Sequence, residues 1–265
     1  MEQTVKENNI TTGVIWKQLL IFFFPILIGT FFQQLYNTVD TIVVGQYVGT
    51  QALAAVGTTG TMINLLVGFF VGVSSGATVI ISQFFGAGDA KNVSRAVHTS
   101  MALALVGGLI ITVLGLLTAR PSLVMLGVPE EILGDALTYM NVYYAGIIAC
   151  MIYNVGTGVL RAIGDSRMPL YVLIVCCLVN IVLDLLFVVG FHWGVFGVAI
   201  ATALSQVVSA VLIMLRLMLT RESYRVELKK IRFDRSILKN VIRIGLPAGM
   251  QSVLYSVSNL VVQAS

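Results

Sequence analysis

Charge is missing from long, uninterrupted stretches of this chain. Lys17 to Asp40, Arg95 to Arg120 and Asp135 to Arg161 enclose 22, 24 and 25 uncharged residues. Asp40 to Asp89 encloses 48 more, and Arg167 to Arg216 another 48 broken only by Asp184. A helix rises about 1.5 Å per residue, so about 20 apolar residues cross the hydrocarbon core of a bilayer. Backbone amides cannot stay unpaired there, which leaves only helices and closed barrels. The runs show no alternation of apolar and polar residues, so helices are expected rather than barrel strands. Only 11% of the 265 residues are charged and 57% are apolar, which excludes a domain wetted on all sides.

Crossings are predicted near 15–45, 52–83, 96–119, 136–160, 169–190 and 194–216, with a seventh apolar stretch opening at Ile244. The expected fold class is an all-α membrane protein: a six-helix transmembrane lobe plus the start of a seventh helix. The first 14 residues are polar and the run after them is too long for a signal peptide, so none is expected. Cys150, Cys176 and Cys177 lie inside apolar runs and read as small buried side chains.

With these crossings, 15 of the 16 basic residues fall on one side, and only Arg120 on the other. Lysine and arginine collect on the cytoplasmic face, which predicts a cytoplasmic N-terminus, Lys6 included, in the inner (plasma) membrane. That placement also removes nucleic acid as a partner. Residues 217–243 form the longest polar stretch and read as a cytoplasmic linker. Residues 1–216 are then an amino-terminal lobe, and 244–265 the start of a second one. The first helix (FPILIGTFFQQLYNTVDTIVV) and the seventh (LPAGMQSVLYSVSNLVVQ) share an early Pro and a central Gln and Tyr, and Asp40 aligns with Asn259. A transporter of two parallel repeats, about twelve helices in all, is the expected whole.

Two acids, Asp40 and Asp184, fall deep in membrane segments. A carboxylate at mid-bilayer costs about 2.5–3.5 kcal/mol on insertion scales. Such a group suits reversible binding of a proton or small cation. Gln33, Asn37 and Asp40 share one face of the first helix, Asn180 and Asp184 one face of the fifth, and Tyr139 and Tyr143 one face of the fourth. Thr202, Ser205, Gln206 and Ser209 form a polar stripe on the sixth. Interhelical hydrogen bonding is the plainer role for the amides and hydroxyls. Gly68, Gly72 and Gly76 read as a close-packing stripe. Pro25 predicts a kink, a candidate hinge for moving Asp40. Gly86 to Asp89 is no nucleotide motif, and His98 and His192 lack ligand spacing.

At these residues the sequence resembles the multidrug and toxic compound extrusion (MATE) family. The matching stretches are Pro25, Tyr36 to Gly45, Gln83 to Asp89, Leu160 to Pro169 (LRAIGDSRMP), and Asn180 with Asp184. The resemblance implies the amino-terminal half of a two-lobed antiporter that exports drug-like organic cations against H⁺ or Na⁺. It implies a cation site of Asp40, Tyr139, Asn180, Asp184 and Thr202. If the ion is Na⁺, Asp40, Asp184 and Asn180 are its expected metal ligands. The substrate cavity is expected at Gln33, Tyr36, Asn37, Tyr143 and Asn154, and the first-helix bend at Pro25. No cofactor beyond the coupling ion is expected. The partners are the drug and the lipid bilayer, with the full-length chain acting as a monomer. A lipid-linked oligosaccharide flippase of the same superfamily is the nearest rival and would need a more cationic cavity. A membrane-embedded enzyme would need a nucleophile–base or metal constellation, which the sequence lacks, so no catalytic residue is assigned. A non-transporting scaffold would have little use for two buried acids.

Overall fold

The computed structural model describes residues 15–264. Lys6 lies outside them, and the side chain of Asn259 is likewise undescribed. Seven long helices run α1 Ile15–Val43, α2 Thr50–Gly86, α3 Ala90–Met125, α4 Glu130–Ala162, α5 Arg167–Asp184, α6 Gly194–Leu219 and α7 Arg235–Ala264. α1 continues into a π-helical turn at Val44–Val48, and α5 into another at Leu185–Gly190. α1 to α6 are long and apolar enough to cross a membrane. The chain is thus an all-α membrane protein. α2, α3, α4 and α6 overrun their predicted crossings, and α1 and α5 reach theirs only with their π-turns, because charge marks the limit of hydrocarbon, whereas caps mark the limit of the helix.

Those caps recur. At Gly88 and Gly164 the backbone takes φ of 72° and 89°, a left-handed turn that suits a residue without Cβ. The amide of the next residue donates five residues back, Asp89 to Phe84 and Asp165 to Leu160, which closes a Schellman end. The same aspartates then open the following helix. Asp89 accepts from the Asn92 amide at 3.0 Å, and Asp165 from the Arg167 and Met168 amides. Both Gly-Asp pairs are therefore helix-to-helix hinges of one design.

α7 begins at Arg235, nine residues before the expected Ile244. Asp234 accepts from the Ser236 and Ile237 amides and starts the helix there. Arg235, Lys239 and Arg243 recur every fourth residue on one exposed stripe, so they read as linker in the sequence but are helix in the fold. The segment 220–234 is strapped to α3. Arg95 pairs with Asp234, the Asp234 amide donates to Thr99 Oγ1 at 3.1 Å, and the Glu227 amide donates to His98 Nε2 at 3.0 Å. His98 is thus a buried structural tie.

The Ile237 amide, helped by Arg95, holds the Asp234 carboxyl below the usual carboxylate range. A depressed carboxyl stabilises its contacts above its unfolded value, about pH 4, and loses that effect as pH falls through the folded one. Protection of the first-turn amides of α7 against hydrogen exchange is expected to fall below about pH 4. Asp234→Ala is expected to remove the same protection at pH 7, while exchange in α4 stays unchanged.

The core lies between α3, α4 and α6, where Met101, Ile111, Leu123, Met140, Tyr144, Ile147 and Ile213 are fully buried. α7 packs along α2 through glycines. A Cβ on Gly72 would sit 2.6 Å from the Gly249 Cα, and one on Gly76 would strike the Val241 carbonyl. α1 is the loosest member, held mainly by α5 and exposing Trp16, Phe23, Phe24 and Phe31.

Candidate functional site

Asp40 and Asp184 are 144 positions apart in sequence but come together where α1 meets α5. Their carboxyl groups are close enough to interact directly. Asp40 precedes the first π-turn by four residues and Asp184 immediately precedes the second. The two π-turns also touch. Extra residues of this kind widen a helix and are common at functional positions. Here they close one end of the lobe beside both acids.

Around the pair stand Tyr139 of α4, Thr202 of α6 and Tyr36 of α1. Tyr139 lies near both acids, and Tyr36 near Asp40 and Tyr139. Thr202 Oγ1 lies near both phenols, yet it makes no hydrogen bond of ordinary geometry. Tyr143 stacks on Tyr139, with ring centroids 6.4 Å apart. Asn180 sits one turn from Asp184, and both are completely buried.

The polar satisfaction of this cluster is unusual. Nine buried side-chain polar atoms among the described residues lack a hydrogen-bond partner. Six belong to Asp40, Asn180, Asp184 and Thr202. Buried polar atoms are nearly always paired, so each exception asks for a water, an ion or a proton. Neither acid forms an ion pair among the described residues. Two carboxylates offer each other acceptors only, and two buried negative charges at this separation repel. A proton shared between them, or a cation held by both, removes the repulsion and satisfies the orphaned oxygens. No group of three or more His, Cys, Asp or Glu is present among the described residues. A hard cation here would therefore take its remaining oxygens from Asn180, Thr202 and the tyrosines, as hard cations do.

Other predicted residues are placed elsewhere. Gln33 and Asn37 are exposed although they share a helical face with Asp40. Asn154 lies 15 residues along α4 from Tyr139, about 22 Å by helical rise, and its Nδ2 donates to the Cys150 carbonyl at 2.8 Å. Pro25 is equally far from Asp40 along α1 and half-buried. Sequence reading missed Tyr153 and Thr157, one turn apart on α4, whose hydroxyls come together. Their i, i+4 spacing was the available signal.

Comparison with known proteins identifies the family and the fold. Residues 25–186, more than half of the chain, match the MatE family. The chain is 27% identical over 257 residues to the "Probable multidrug resistance protein YoeA" of Bacillus subtilis, covering 94% of this chain and 55% of that protein. Among solved structures it is similar to a multidrug resistance MATE family transporter of the MOP superfamily. Against the outward-facing conformation the TM-score is 0.89 at 30% identity, over 98% of this chain and 57% of the other. Against the inward-facing conformation the TM-score is 0.78 at 31% identity, over 85% and 51%. The chain thus spans a little over half the length of the relatives it matches. With a six-span lobe, a buried pair of acids and this match, the chain belongs to the MatE family, a family of membrane transporters.

Proposed function

We propose that this chain is the amino-terminal lobe of a cation-coupled multidrug exporter, and that Asp40 and Asp184 hold the coupling ion. The concentration of orphaned polar atoms at the acid pair carries this reading. It marks a seat built to be filled and emptied rather than a finished structural contact. Asn180, Tyr139 and Thr202 complete the seat. The exposed polar face at Gln33 and Asn37, with Tyr36 and Tyr143, lines the path of a drug-like organic cation. The end carrying 87–89, 163–166 and 220–234 faces the cytoplasm in the plasma membrane, as its basic residues favour. The full-length transporter works as a monomer.

Exchange follows from unequal binding to two states. Ion binding neutralises the acids and lowers the cost of enclosing them. α1, loosely packed and carrying Pro25 within the helix, is the element free to respond. Its movement past the seat changes the space left for drug, so ion and drug displace one another.

The test uses the full-length protein in proteoliposomes with H⁺ and Na⁺ gradients imposed separately. Ethidium export driven by at least one gradient, and abolished when both are collapsed, is the expected result. Export indifferent to both gradients would refute coupling at this site.

A further inference from the structure

Three orphaned polar atoms remain after the acid site is accounted for: Gln206 Oε1, Thr157 Oγ1 and Arg216 Nε. They are not scattered. α4 and α6 run side by side in the same direction, in a register set by Gly146 against Ala203 and Gly156 against Ile213. In that register Gln206 lies one turn below Thr202, and Thr157 lies level with the last turns of α6. All three orphans therefore fall between the acid pair and the basic end.

Polar side chains connect them. A narrow crevice joins Thr202 to Gln206, Tyr143 and Cys150. The Tyr143 hydroxyl reaches the Cys150 sulfur, and Asn154 Nδ2 donates to that sulfur at 3.3 Å. From there Tyr153 lies near Cys150, Thr157 and Arg161. Arg216 stands 4.0 Å from Asp165 at the basic end. The span from Thr202 to Arg216 is fourteen residues, about 21 Å of helix. Groups one turn apart on a helix lie about 5–6 Å from each other, a gap that a single water bridges well.

We propose that this file of polar groups inside α4, α5 and α6 is a proton route from the acid pair to the basic end of the lobe. The inference rests on the coupling role given above to Asp40 and Asp184. Finished interhelical contacts would leave no lone pairs spare at Gln206 and Thr157, whereas a chain of waters needs them. The crevice is narrow, and the file of polar groups ends near Arg161 and Arg216. Both features reject a hydrated metal cation and leave proton hopping through hydrogen bonds as the transport mode. A proton leaving the acid pair passes to the adjacent water while that water releases another towards Asp165, so charge moves without an ion travelling the length of the file. The route lies within one lobe and needs no separation of two lobes along its length.

The experiment compares the full-length protein with Gln206→Leu/Thr157→Val and with Thr157→Ser in proteoliposomes. Pyranine reports lumenal pH during ethidium export driven by a pH gradient. The double variant is expected to slow the coupled pH change at least ten-fold and to show a larger D₂O isotope effect. Its ethidium affinity, measured by fluorescence, is expected within two-fold of the parent, which also shows that it folds. Thr157→Ser, which keeps the hydroxyl, is expected to behave as the parent. Parent-like rates in the double variant would overturn the route, as would equal loss in Thr157→Ser. Export driven by Na⁺ and never by H⁺ would overturn it too. If Asp184→Asn still exports under the gradient, the coupling reading fails. If Asp184→Asn is inactive and the double variant is normal, only the route fails.

Discussion

Asp184→Asn in the full-length transporter is expected to cut gradient-driven export by at least about 100-fold while leaving the protein as stable as the parent or more so. The two effects have one cause. Asp184 is completely buried and has no partner for either carboxyl oxygen. Asparagine has the same shape, so packing survives. Its amide donates to Asp40, so a buried acceptor gains the partner it lacked. Removing one of two buried acids also removes a cost of a few kcal/mol in membrane insertion. What is lost is the ability to take and release a positive ion. The free energy of a gradient then has nothing to act on, since a ligand shifts states only through unequal binding. Asp40→Asn is expected to do the same. The measurement pairs export under imposed gradients with a melting curve in detergent. Export above half the parent rate in both variants would remove the acids from coupling. Lost export with a lowered melting temperature would make them structural instead.

Gly76→Ala is expected to destabilise the lobe by about 3 kcal/mol, against the propensity for helix. Alanine in a helix interior is normally favoured over glycine by about 1 kcal/mol. At Gly76 the new methyl would run into the Val241 carbonyl and lie 2.7 Å from the Gly245 nitrogen, both backbone atoms of α7. Backbone cannot rotate aside as a side chain can, so α7 must lift from α2. Overpacking of this kind typically costs about 1–3 kcal/mol, occasionally more. A loss of about 3 kcal/mol corresponds to a melting temperature lower by roughly 6–12 °C for a domain of this size. Gly60→Ala supplies the contrast. Nothing lies within 4 Å of a Cβ there, and that variant is expected to melt at or slightly above the parent. Equal behaviour of the two variants would mean that α2 and α7 do not meet through their glycines.

Much of this architecture was legible from residues that act locally. Charge-free runs marked six crossings, because the energy of a charge in hydrocarbon depends on that residue and a bilayer, not on distant partners. Gly88 with Asp89 and Gly164 with Asp165 end one helix and open the next by bonds spanning five residues or fewer. Asp40 and Asp184 could be singled out by their cost alone. The start of α7 was misread for a local reason of another kind. Arg235, Lys239 and Arg243 look like linker when only charge is counted, and their four-residue spacing shows its meaning once Asp234 caps the helix.

Tertiary structure alone decided what those residues do together. No spacing in the chain says that the end of α1 meets the end of α5, or that each acid adjoins a π-turn. Gly68, Gly72 and Gly76 announced a close helix contact, but only the fold names α7 as the partner. Gln33, Asn37 and Asp40 share a helical face, yet one is buried and two are exposed, because burial depends on which neighbour arrives. Unsatisfied atoms are the clearest case. Whether Asn180 or Thr157 has a partner is a property of the groups brought around it, and a one-dimensional pattern cannot contain it.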